Sequence, residues 1–375
     1  MRIGIDIRCL TEKYYSGISE YTYNLLNELL KIDQQNQYFL FYNASRSVTL
    51  PKFDYPNVEY KKYNYPNKIF NLSMTFLKYP AIDRLIGGVD VFLTPGFLFS
   101  HLSKKCRKIL IIHDLSFEIY PDFFTFKKRL WHKLIRPKLL CQKADWLIAV
   151  SQNTKNDLVN LYQINPKKIK VISQGLNSLF NQPDDENQLL TVKNKYQLSN
   201  NYIFYLGNLE PRKNLSSLIK AYELIKSDVD LVIAGSPAWK YKNIYRLYER
   251  SNKKEKIKFL GYIPLQDKKS LYLMAKIFVY PSIYEGFGLP VLEAMACGKP
   301  VITSFNSSLV EVIGDAGLLI DPYNINELAK SIDELLADEK LQQILSERGL
   351  EQAKKFSWPA TAAEILKIIE LGIKN

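Results

Sequence analysis

Short apolar runs typical of buried strands alternate with helical patterns along the whole sequence. This alternation predicts parallel sheets covered by helices on both faces, the doubly wound α/β class. The strand-like runs form two series. The first lies at 2–7, 38–42, 89–95, 108–114, 145–151 and 170–173, and the second at 202–207, 230–235, 256–261, 277–282, 300–305 and 317–321.

A polar, proline-containing stretch, SLFNQPDDENQ at 178–188, follows the first series and precedes the second. A chain of 375 residues has room for two buried cores. We therefore predict two Rossmann-like α/β domains with a cleft between them. The last apolar helix, predicted at 361–373, follows a Ser-Trp-Pro break at 357–359, so we expect it to pack away from the domain that precedes it.

Composition excludes several classes of protein. Hydrophobic residues make up 47% and charged residues 24% of the chain, as in globular proteins, and no apolar run reaches the roughly 18–20 residues of a membrane span. The opening MRIGIDIRCL has charges inside a strand pattern, unlike a signal peptide. Four scattered cysteines predict free thiols in a reducing cytoplasm, and three histidines argue against a multi-histidine metal site.

The positive charge is concentrated in the first half. Residues 1–182 carry 26 Lys and Arg against 14 Asp and Glu, a net +12 of the total +13. We expect this half to face an anionic partner, such as nucleic acid, a membrane surface or an acidic substrate.

The stretch FKKRLWHKLIRPKLL at 126–140 is the most basic part of this half. Phe126, Leu130 and Leu134 recur at helical spacing, with cations on the other faces. Two interpretations stay open: a packed helix with a solvated polar face, or a helix that lies on the anionic inner face of a membrane.

Two strand-to-helix junctions of the first half carry residues suited to a ligand, because ligands of α/β proteins collect at the carboxyl ends of strands. Gly17 stands just before a helix start, where a glycine lets backbone approach a phosphate or simply makes a turn. His113 ends the apolar run KILIIH beside Asp114, where a ligand contact and a structural role are both open.

In the second half, Gly207 ends a strand, and Arg212 and Lys213 arrive just before a helix that Asn214 can cap. Two cations beside a helix start suit a diphosphate, although a solvated basic loop is the alternative. The chain has neither a Walker loop nor a Rossmann glycine fingerprint at this point.

The fourth junction, YEGFGLPVLEAMACGKP at 284–300, reads as a strand end, a glycine loop and a helix. It places Glu285 in the loop and Glu293 about two turns into the helix, where carboxylates suit sugar and ribose hydroxyls. A tight turn with surface carboxylates is the alternative. Together the four junctions match a nucleotide-diphosphate sugar better than a dinucleotide or a nucleic acid.

These segments resemble a known family. EGFGLPVLEAMACGKPVITS and SSLVEVIGDAGLLIDP are similar to the signature of the family 4 glycosyltransferases, and GIDIRCL, SGISEYTYNLL, IIHDLSF, AVSQNTKNDL and GNLEPRKN match further family segments in order. The similarity is closest to bacterial mannosyltransferase-like members that build surface polysaccharides. It implies the GT-B fold and retention of anomeric configuration. The acceptor domain would comprise 1–173 with the terminal helix 358–375, and the nucleotide-sugar domain 174–357.

The resemblance also implies roles for individual residues of the second domain. Glu285 would lie against the donor sugar ring, and Glu293 would accept hydrogen bonds from the ribose. Backbone amides would bond to sugar hydroxyls and phosphate at four positions, Gly286, Phe287, Gly288 and Leu289.

The remaining implied roles concern the phosphates and the donor sugar. Arg212 and Lys213 would hold the diphosphate and stabilise the leaving group, His113 would reach the donor sugar, and Gly17 and Gly207 belong to the donor-binding set. Many relatives place an arginine directly after the glycine where this chain has Asn208. The division of work between Arg212 and Lys213 therefore stays open.

The implied donor is GDP-mannose as first candidate and a UDP-sugar as second, with a glycan or lipid-linked acceptor, no cofactor and no metal. The implied location is the cytoplasm, with the inner face of the membrane as the hypothesis for the basic half. Two other functions stay open. A nucleotide-sugar epimerase or other GT-B enzyme would use a similar cleft, and a nucleic-acid-binding protein would use the same charge but leave the cleft unexplained.

Overall fold

The computed structural model describes residues 1–12, 15–183 and 185–371. The chain forms two compact units. Unit 1 comprises 1–115, 126–175 and the chain from Ser357 onward, and unit 2 comprises 116–125 and 176–356. The short segment 116–125, which sequence patterns place within the first domain, groups with unit 2.

Thirteen strands make two sheets, one in each unit, within the described residues. Unit 1 contains β1 Arg2–Asp6, β2 Gln37–Asn43, β3 Val58–Tyr63, β4 Val91–Thr94, β5 Arg107–Ile112, β6 Trp146–Ala149 and β7 Ile169–Val171. Unit 2 contains β8 Tyr202–Leu206, β9 Asp230–Ala234, β10 Ile257–Gly261, β11 Ile277–Tyr280, β12 Val301–Ser304 and β13 Leu318–Ile320.

The α-helices, numbered in chain order, connect these strands. They are α1 Gly17–Ile32, α2 Asn67–Leu72, α3 Ile82–Leu85, α4 Ser116–Ile119, α5 Phe126–Ile135, α6 Pro137–Lys143, α7 Gln152–Tyr162, α8 Glu186–Tyr196, α9 Leu215–Leu224, α10 Lys242–Arg250, α11 Leu265–Met274, α12 Leu289–Ala296, α13 Leu309–Ile313, α14 Ile325–Ala337, α15 Glu339–Ala353 and α16 Trp358–Leu371. A π-helical turn, Ser73–Leu77, continues α2. No helix of the described chain is both long enough and apolar enough to cross a membrane.

Both sheets are parallel throughout, which confirms the predicted doubly wound class. The strand order is β3-β2-β1-β4-β5-β6-β7 in unit 1 and β10-β9-β8-β11-β12-β13 in unit 2. The direction of winding reverses between β1 and β4, and between β8 and β11. At such a switch point the loops after the two neighbouring strands separate and leave room for a ligand.

Strand β3, with the sequence VEYKKY, has no counterpart among the predicted strands. It lies at the edge of the first sheet and all six of its residues are at least partly exposed. An edge strand of this kind carries lysines that a central strand excludes, so it lacks the apolar run by which the other strands are recognised.

The C-terminal helix α16 packs on α1 in unit 1, as the break at 357–359 led us to expect. The Thr361 hydroxyl donates to the Ser173 carbonyl at 2.8 Å, and the Trp358 ring meets the edge of Tyr21 at 5.2 Å. Gly175 passes so close that a Cβ there would lie 2.1 Å from the Trp358 nitrogen. Residues 372–375, the end of the terminal helix 358–375 that the resemblance implies, lie outside the described residues.

Candidate active site

The switch point of unit 2 gathers two of the sequence-predicted junctions. Strand β8 ends at Leu206, and its loop carries Arg212 and Lys213 on a 3-10 turn, Pro211–Lys213. Strand β11 ends at Tyr280, and its loop carries Glu285. Because β8 and β11 are paired and parallel, both loops leave the same edge of the sheet.

The Glu285 carboxylate is the centre of this site and is almost fully buried. Its Oε1 accepts hydrogen bonds from Lys213 Nζ at 2.6 Å, from the Ser282 hydroxyl at 2.6 Å and from the Tyr280 hydroxyl at 2.9 Å. Its Oε2 accepts from Arg212 at 2.9 Å. Burial alone would raise the pKa of Glu285, but the two adjacent cations outweigh it and hold the pKa at about 2.

The two cations are themselves fixed by further acceptors. Arg212 donates to the Glu210 carboxylate at 2.8 Å and to the Tyr284 carbonyl at 2.7 Å, and Lys213 donates to the Tyr280 hydroxyl at 2.6 Å. Burial lowers the pKa of Lys213, and Glu285 opposes that shift. Two cations therefore face two carboxylates, a preorganised cluster in which an incoming anion meets charges that are already held in place.

Asn214 is the N-cap residue that precedes helix α9 and has the left-handed conformation, with φ 55°, but its side chain makes no capping hydrogen bond to the helix. The expected capping role of this side chain is therefore wrong. Its amide group instead donates to the carbonyls of Pro281 and Pro322 at 3.1 and 2.7 Å, and its oxygen accepts from the Ser217 hydroxyl. Asn214 thus joins the β8 loop to the β11 loop and fixes the backbone next to Lys213.

The glycine loop 286–288 connects Glu285 to helix α12. Gly288 has φ 114°, and a Cβ there would lie 2.8 Å from a Leu309 methyl, so a side chain would be strained and crowded. The Ser308 hydroxyl lies 2.8 Å from the carbonyls of Glu285 and of Phe287, which pins the loop from the other side. The loop leads directly into α12, where Pro290 has no N–H and the Val291 amide donates to the Gly288 carbonyl at 3.0 Å, so the Leu289 amide is the one of the first turn that no helix carbonyl can accept from.

Glu293 is the fifth residue of α12, so it lies just over one turn into the helix rather than two. Its side chain is buried. Lys268 donates to Oε1 at 2.5 Å and the Tyr272 hydroxyl donates to Oε2 at 2.9 Å. Both partners come from the neighbouring helix α11, and no sequence spacing relates them to Glu293.

His113 follows strand β5 in unit 1, as its position at the end of an apolar run predicted. Its Nε2 lies 2.8 Å from the Pro95 carbonyl, which only accepts hydrogen bonds, so the proton is on Nε2 and Nδ1 is left as an acceptor. Burial lowers the pKa of His113, which keeps the ring neutral near pH 7. The Tyr21 ring packs against it edge to face at 4.8 Å.

Gly17 is the first residue of α1, also in unit 1, and Ser16 precedes it as N-cap. A Cβ at Gly17 would meet no atom within 4 Å, so packing does not require a glycine there. Gly207 directly follows β8 in unit 2, where a Cβ would come within 3.1 Å of the Tyr205 hydroxyl.

Sequence reasoning missed three residues of the Glu285 cluster: Glu210, Tyr280 and Ser282. Glu210 lies within the segment GNLEPRKN that carries the two cations, so its charge was the available signal. Tyr280 and Ser282 flank a proline at a strand end. A tyrosine at such a position is normally interpreted as a buried strand residue, so no sequence pattern indicated a role in the site. Within the described parts of the chain, no group of three or more His, Cys, Asp or Glu side chains is placed to hold a metal ion.

Comparisons with known proteins identify the family of this chain. Residues 15–178 match the family described as Glycosyltransferase Family 4, and residues 187–352 match the family described as Glycosyl transferases group 1. The O-antigen chain mannosyltransferase B of Escherichia coli is 34% identical over 287 residues, which cover 75% of this chain and 74% of that protein. The serotype-specific mannosyltransferase WbdA of Escherichia coli is 32% identical over 68% of this chain but only 32% of its own length.

Solved structures share the fold. Sucrose-phosphate synthase from Thermosynechococcus elongatus superimposes with a TM-score of 0.77 at 21% identity, over 99% of this chain and 98% of that one. The Anabaena protein HepE, solved in complex with UDP and glucose, gives a TM-score of 0.74 at 18% identity over 99% of each chain. On the matches along both units, this chain is a glycosyltransferase of family 4 with the GT-B fold.

Proposed function

We propose that this enzyme transfers a hexose, with retention of anomeric configuration, from a nucleotide-diphosphate sugar to a glycan or lipid-linked acceptor in surface polysaccharide synthesis. GDP-mannose is the first candidate donor, because relatives at 34% and 32% identity carry mannosyltransferase names. A UDP-sugar is the second, because HepE was solved with UDP. The acceptor is assigned to unit 1 and the donor to unit 2.

The observation that carries the proposal is the cluster of Arg212, Lys213 and Glu285 at the switch point of unit 2. A diphosphate that reaches this edge of the sheet finds two fixed cations. Negative charge grows on the departing diphosphate as the bond to the anomeric carbon breaks, and preorganised cations stabilise it without reorganisation. The same two cations supply the charge that a divalent metal would otherwise provide, so we propose a metal-independent reaction.

Two hydroxyl groups also donate hydrogen bonds to Glu285, and a bound diphosphate does not compete for them. When Arg212 and Lys213 turn to the phosphates, the hydroxyls of Tyr280 and Ser282 still donate to Oε1. Those two hydroxyls keep the Glu285 carboxylate fixed in position, where it can orient a sugar hydroxyl and lie against the sugar ring. In this role it is not a nucleophile, and the leaving phosphate accepts the proton of the attacking hydroxyl.

The other donor contacts follow from residues described above. The buried Glu293 carboxylate, which Lys268 and Tyr272 hold in position, is assigned to the ribose hydroxyls. The amides of 286–289 are assigned to sugar hydroxyls and phosphate. Neutral His113 is assigned to the donor sugar, with Nδ1 as acceptor for a hydroxyl.

We further propose that the enzyme works in the cytoplasm on the inner face of the membrane. The apolar stripe of α5 supports this: Phe126, Leu130, Trp131 and Leu134 are between 38% and 76% exposed, so the packed-helix interpretation of this stripe is wrong. Among the apolar side chains of α5, Ile135 is the one that is buried. A basic helix with an exposed apolar stripe suits an anionic bilayer surface.

Thermal stabilisation by a panel of ligands tests the donor assignment. Ligand that binds only the folded state raises the melting temperature according to its affinity. We expect GDP and GDP-mannose to raise it, and mass spectrometry to detect mannosylated product when an acceptor extract is added. Stabilisation by UDP compounds alone would move the assignment to a UDP-sugar. Turnover of the donor without any acceptor would favour an epimerase, and no shift with any nucleotide at millimolar concentration would contradict a transferase.

A further inference from the structure

A second exposed apolar surface lies in unit 1, on α2 and the π-helical turn that follows it. Ile69, Leu72, Phe76, Leu77 and Tyr79, which we call the apolar ridge, are between 53% and 75% exposed. The opposite side of the same segment is buried, with Phe70 and Met74 in a hydrophobic cluster. A helical segment that is apolar on both sides is expected where its outer side does not face water.

The two hydroxyl groups of this segment do not offer free polar groups to water. The Ser73 hydroxyl donates to the Phe70 carbonyl at 3.0 Å, and the Thr75 hydroxyl donates to the Asn71 carbonyl at 2.7 Å. Both hydroxyls are thus satisfied within the segment itself. Such side chains can enter an apolar medium without leaving a hydrogen bond unmade.

The apolar ridge and helix α5 approach the same hydrophobic cluster. Phe99 packs against the cluster that contains Phe70 and Met74, and its ring meets the Trp131 ring of α5 edge to face at 6.1 Å. The two exposed apolar surfaces therefore flank Phe99 rather than lying on unrelated parts of the unit.

Charge indicates the kind of partner. Residues 60–81 and 123–144 contain lysines and arginines but no Asp or Glu. Lys62, Lys68 and Lys78 are exposed around the apolar ridge, and Lys127 and Lys133 are exposed on α5. Tyr65, Tyr79 and Trp131 add the aromatic side chains that favour the boundary between lipid headgroups and acyl chains.

We infer that the apolar ridge inserts into the interface of an anionic lipid bilayer while α5 supplies adjoining cationic contacts. This rests on the membrane partner proposed above and assigns the apolar part of that contact to a segment whose sequence pattern did not reveal it. Cations alone bind an anionic surface in a salt-sensitive manner, whereas inserted Phe76 and Leu77 add binding that persists when salt screens the charges.

A probe at the apolar ridge tests the insertion directly. The four cysteines are buried, and burial raises the pKa of Cys9, Cys106 and Cys141 to about 12, so an introduced surface thiol can be labelled selectively. We would label Leu77→Cys with an environment-sensitive fluorophore and add vesicles of phosphatidylcholine with phosphatidylglycerol. The matched control is Leu190→Cys on α8, which is also well exposed. We expect a blue shift for position 77 and none for position 190.

Co-sedimentation with the same vesicles measures the contribution of the ridge. We expect Phe76→Ser with Leu77→Ser to reduce binding at physiological salt by about tenfold or more, and Leu190→Ser with Leu224→Ser to leave it unchanged. Vesicles of phosphatidylcholine alone should bind much less of the wild-type protein.

Three results would overturn the inference. The first is sedimentation with vesicles while the probe at position 77 stays in water, and the second is failure to bind vesicles at all. The third is light scattering that shows the ridge substitutions to dissolve a dimer, which would mean that a second copy covers the ridge. Nucleotide-induced thermal stabilisation of the same variants separates these results from a failure of the proposed function, because the ridge substitutions leave the Glu285 cluster intact.

Discussion

Glu285 forms ion pairs with both Arg212 and Lys213, so any anion that takes these cations competes with a carboxylate that is already bound. The proposed diphosphate carries more charge than one carboxylate and can engage both cations at once. The hydroxyls of Tyr280 and Ser282 then hold the Glu285 carboxylate in position. We therefore expect the cations to act on the leaving diphosphate and the two hydroxyls to act on Glu285.

Lys213→Ala removes one of the two cations that face the leaving group. We expect kcat/KM to fall by about 100-fold or more, as for other losses of a preorganised charge stabiliser. Lys220→Ala on the exposed side of α9 is the matched control and should leave kcat/KM unchanged. Steady-state transfer assays measure both. Near-normal activity of Lys213→Ala would remove this residue from the mechanism.

Tyr280→Phe removes one hydroxyl that donates to Glu285 and accepts from Lys213. Hydrogen bonds to charged groups contribute about 1.5–3 kcal/mol, so we expect a loss of roughly tenfold to 100-fold in kcat. Nucleotide affinity should change little, because the phosphate-binding cations remain. Tyr245→Phe on α10 is the control. An equal loss in nucleotide affinity and in kcat would show that Tyr280 serves donor binding rather than the position of Glu285.

The pKa of Glu285 predicts an acid-dependent loss of stability. The native pKa is about 2 against an ordinary value of 4.5, so the unfolded chain binds this proton more readily. The associated stability is present above about pH 4.5 and is lost as the pH falls towards 2, on the order of 3 kcal/mol in total. Urea unfolding between pH 5 and 2 should show this contribution, and Glu285→Gln should show a shallower slope because Asp33 and Asp333, whose pKa values are also lowered, still contribute. The control Glu249→Gln should keep the slope of the wild type, and an unchanged slope in Glu285→Gln would contradict the assignment.

The residues Arg212, Lys213 and Glu285 could be placed together from the sequence, because adjacent parallel strands bring their carboxyl-end loops to one edge. Glu210, Tyr280 and Ser282 could not, since hydrogen-bond geometry rather than spacing recruits them. Asn214 illustrates the same limit: its position before α9 suggests a cap, but two proline carbonyls from other segments take its amide group.

At the scale of elements, Gly175 and Gly17 have different surroundings. A substitution at Gly175 tests the packing of the chain, and a substitution at Gly17 tests the approach of backbone to the donor. A Cβ at Gly175 would lie 2.1 Å from the Trp358 backbone, so Gly175→Ala must displace the start of α16. We expect a loss of about 1–3 kcal/mol in the free energy of unfolding, measured by urea denaturation.

Gly17→Ala is the complementary change. A Cβ added at Gly17 would meet no atom within 4 Å, so we expect no loss in the free energy of unfolding. If backbone at Gly17 approaches the phosphates, the added methyl group should nevertheless raise KM for the donor. Unchanged stability together with unchanged KM would remove Gly17 from the donor-binding set.

Elements buried on both faces were predictable, because their apolar runs are continuous, whereas elements at the surface were less so. Edge strand β3 was not predicted because it lacks a continuous apolar run. The helical spacing of Phe126, Leu130 and Leu134 correctly indicated one face of α5, yet spacing cannot show whether that face meets the core or lies open. Only the packed unit shows that the stripe is exposed.

At the scale of the whole molecule, the excess positive charge and the Glu285 cluster lie in different units. The excess of cations lies in the half that forms most of unit 1, which carries the apolar ridge and α5. Unit 2 carries the neutralised cluster that we assign to the donor. The packing of α16 in unit 1 could be predicted from the break at 357–359. No sequence pattern indicated that residues 116–125 belong to unit 2.

The central claim is that Arg212 and Lys213 recognise a diphosphate, and calorimetric titration of GDP and of guanosine tests it most directly. We expect the wild-type protein to bind GDP at least about 100-fold more tightly than guanosine, since two buried charge-assisted contacts are gained. In Arg212→Ala with Lys213→Ala, this preference should nearly vanish while guanosine affinity is retained. UDP and uridine serve in the same way if the guanine nucleotides do not bind. An equal preference for the diphosphate in both proteins would contradict the assignment of the cluster.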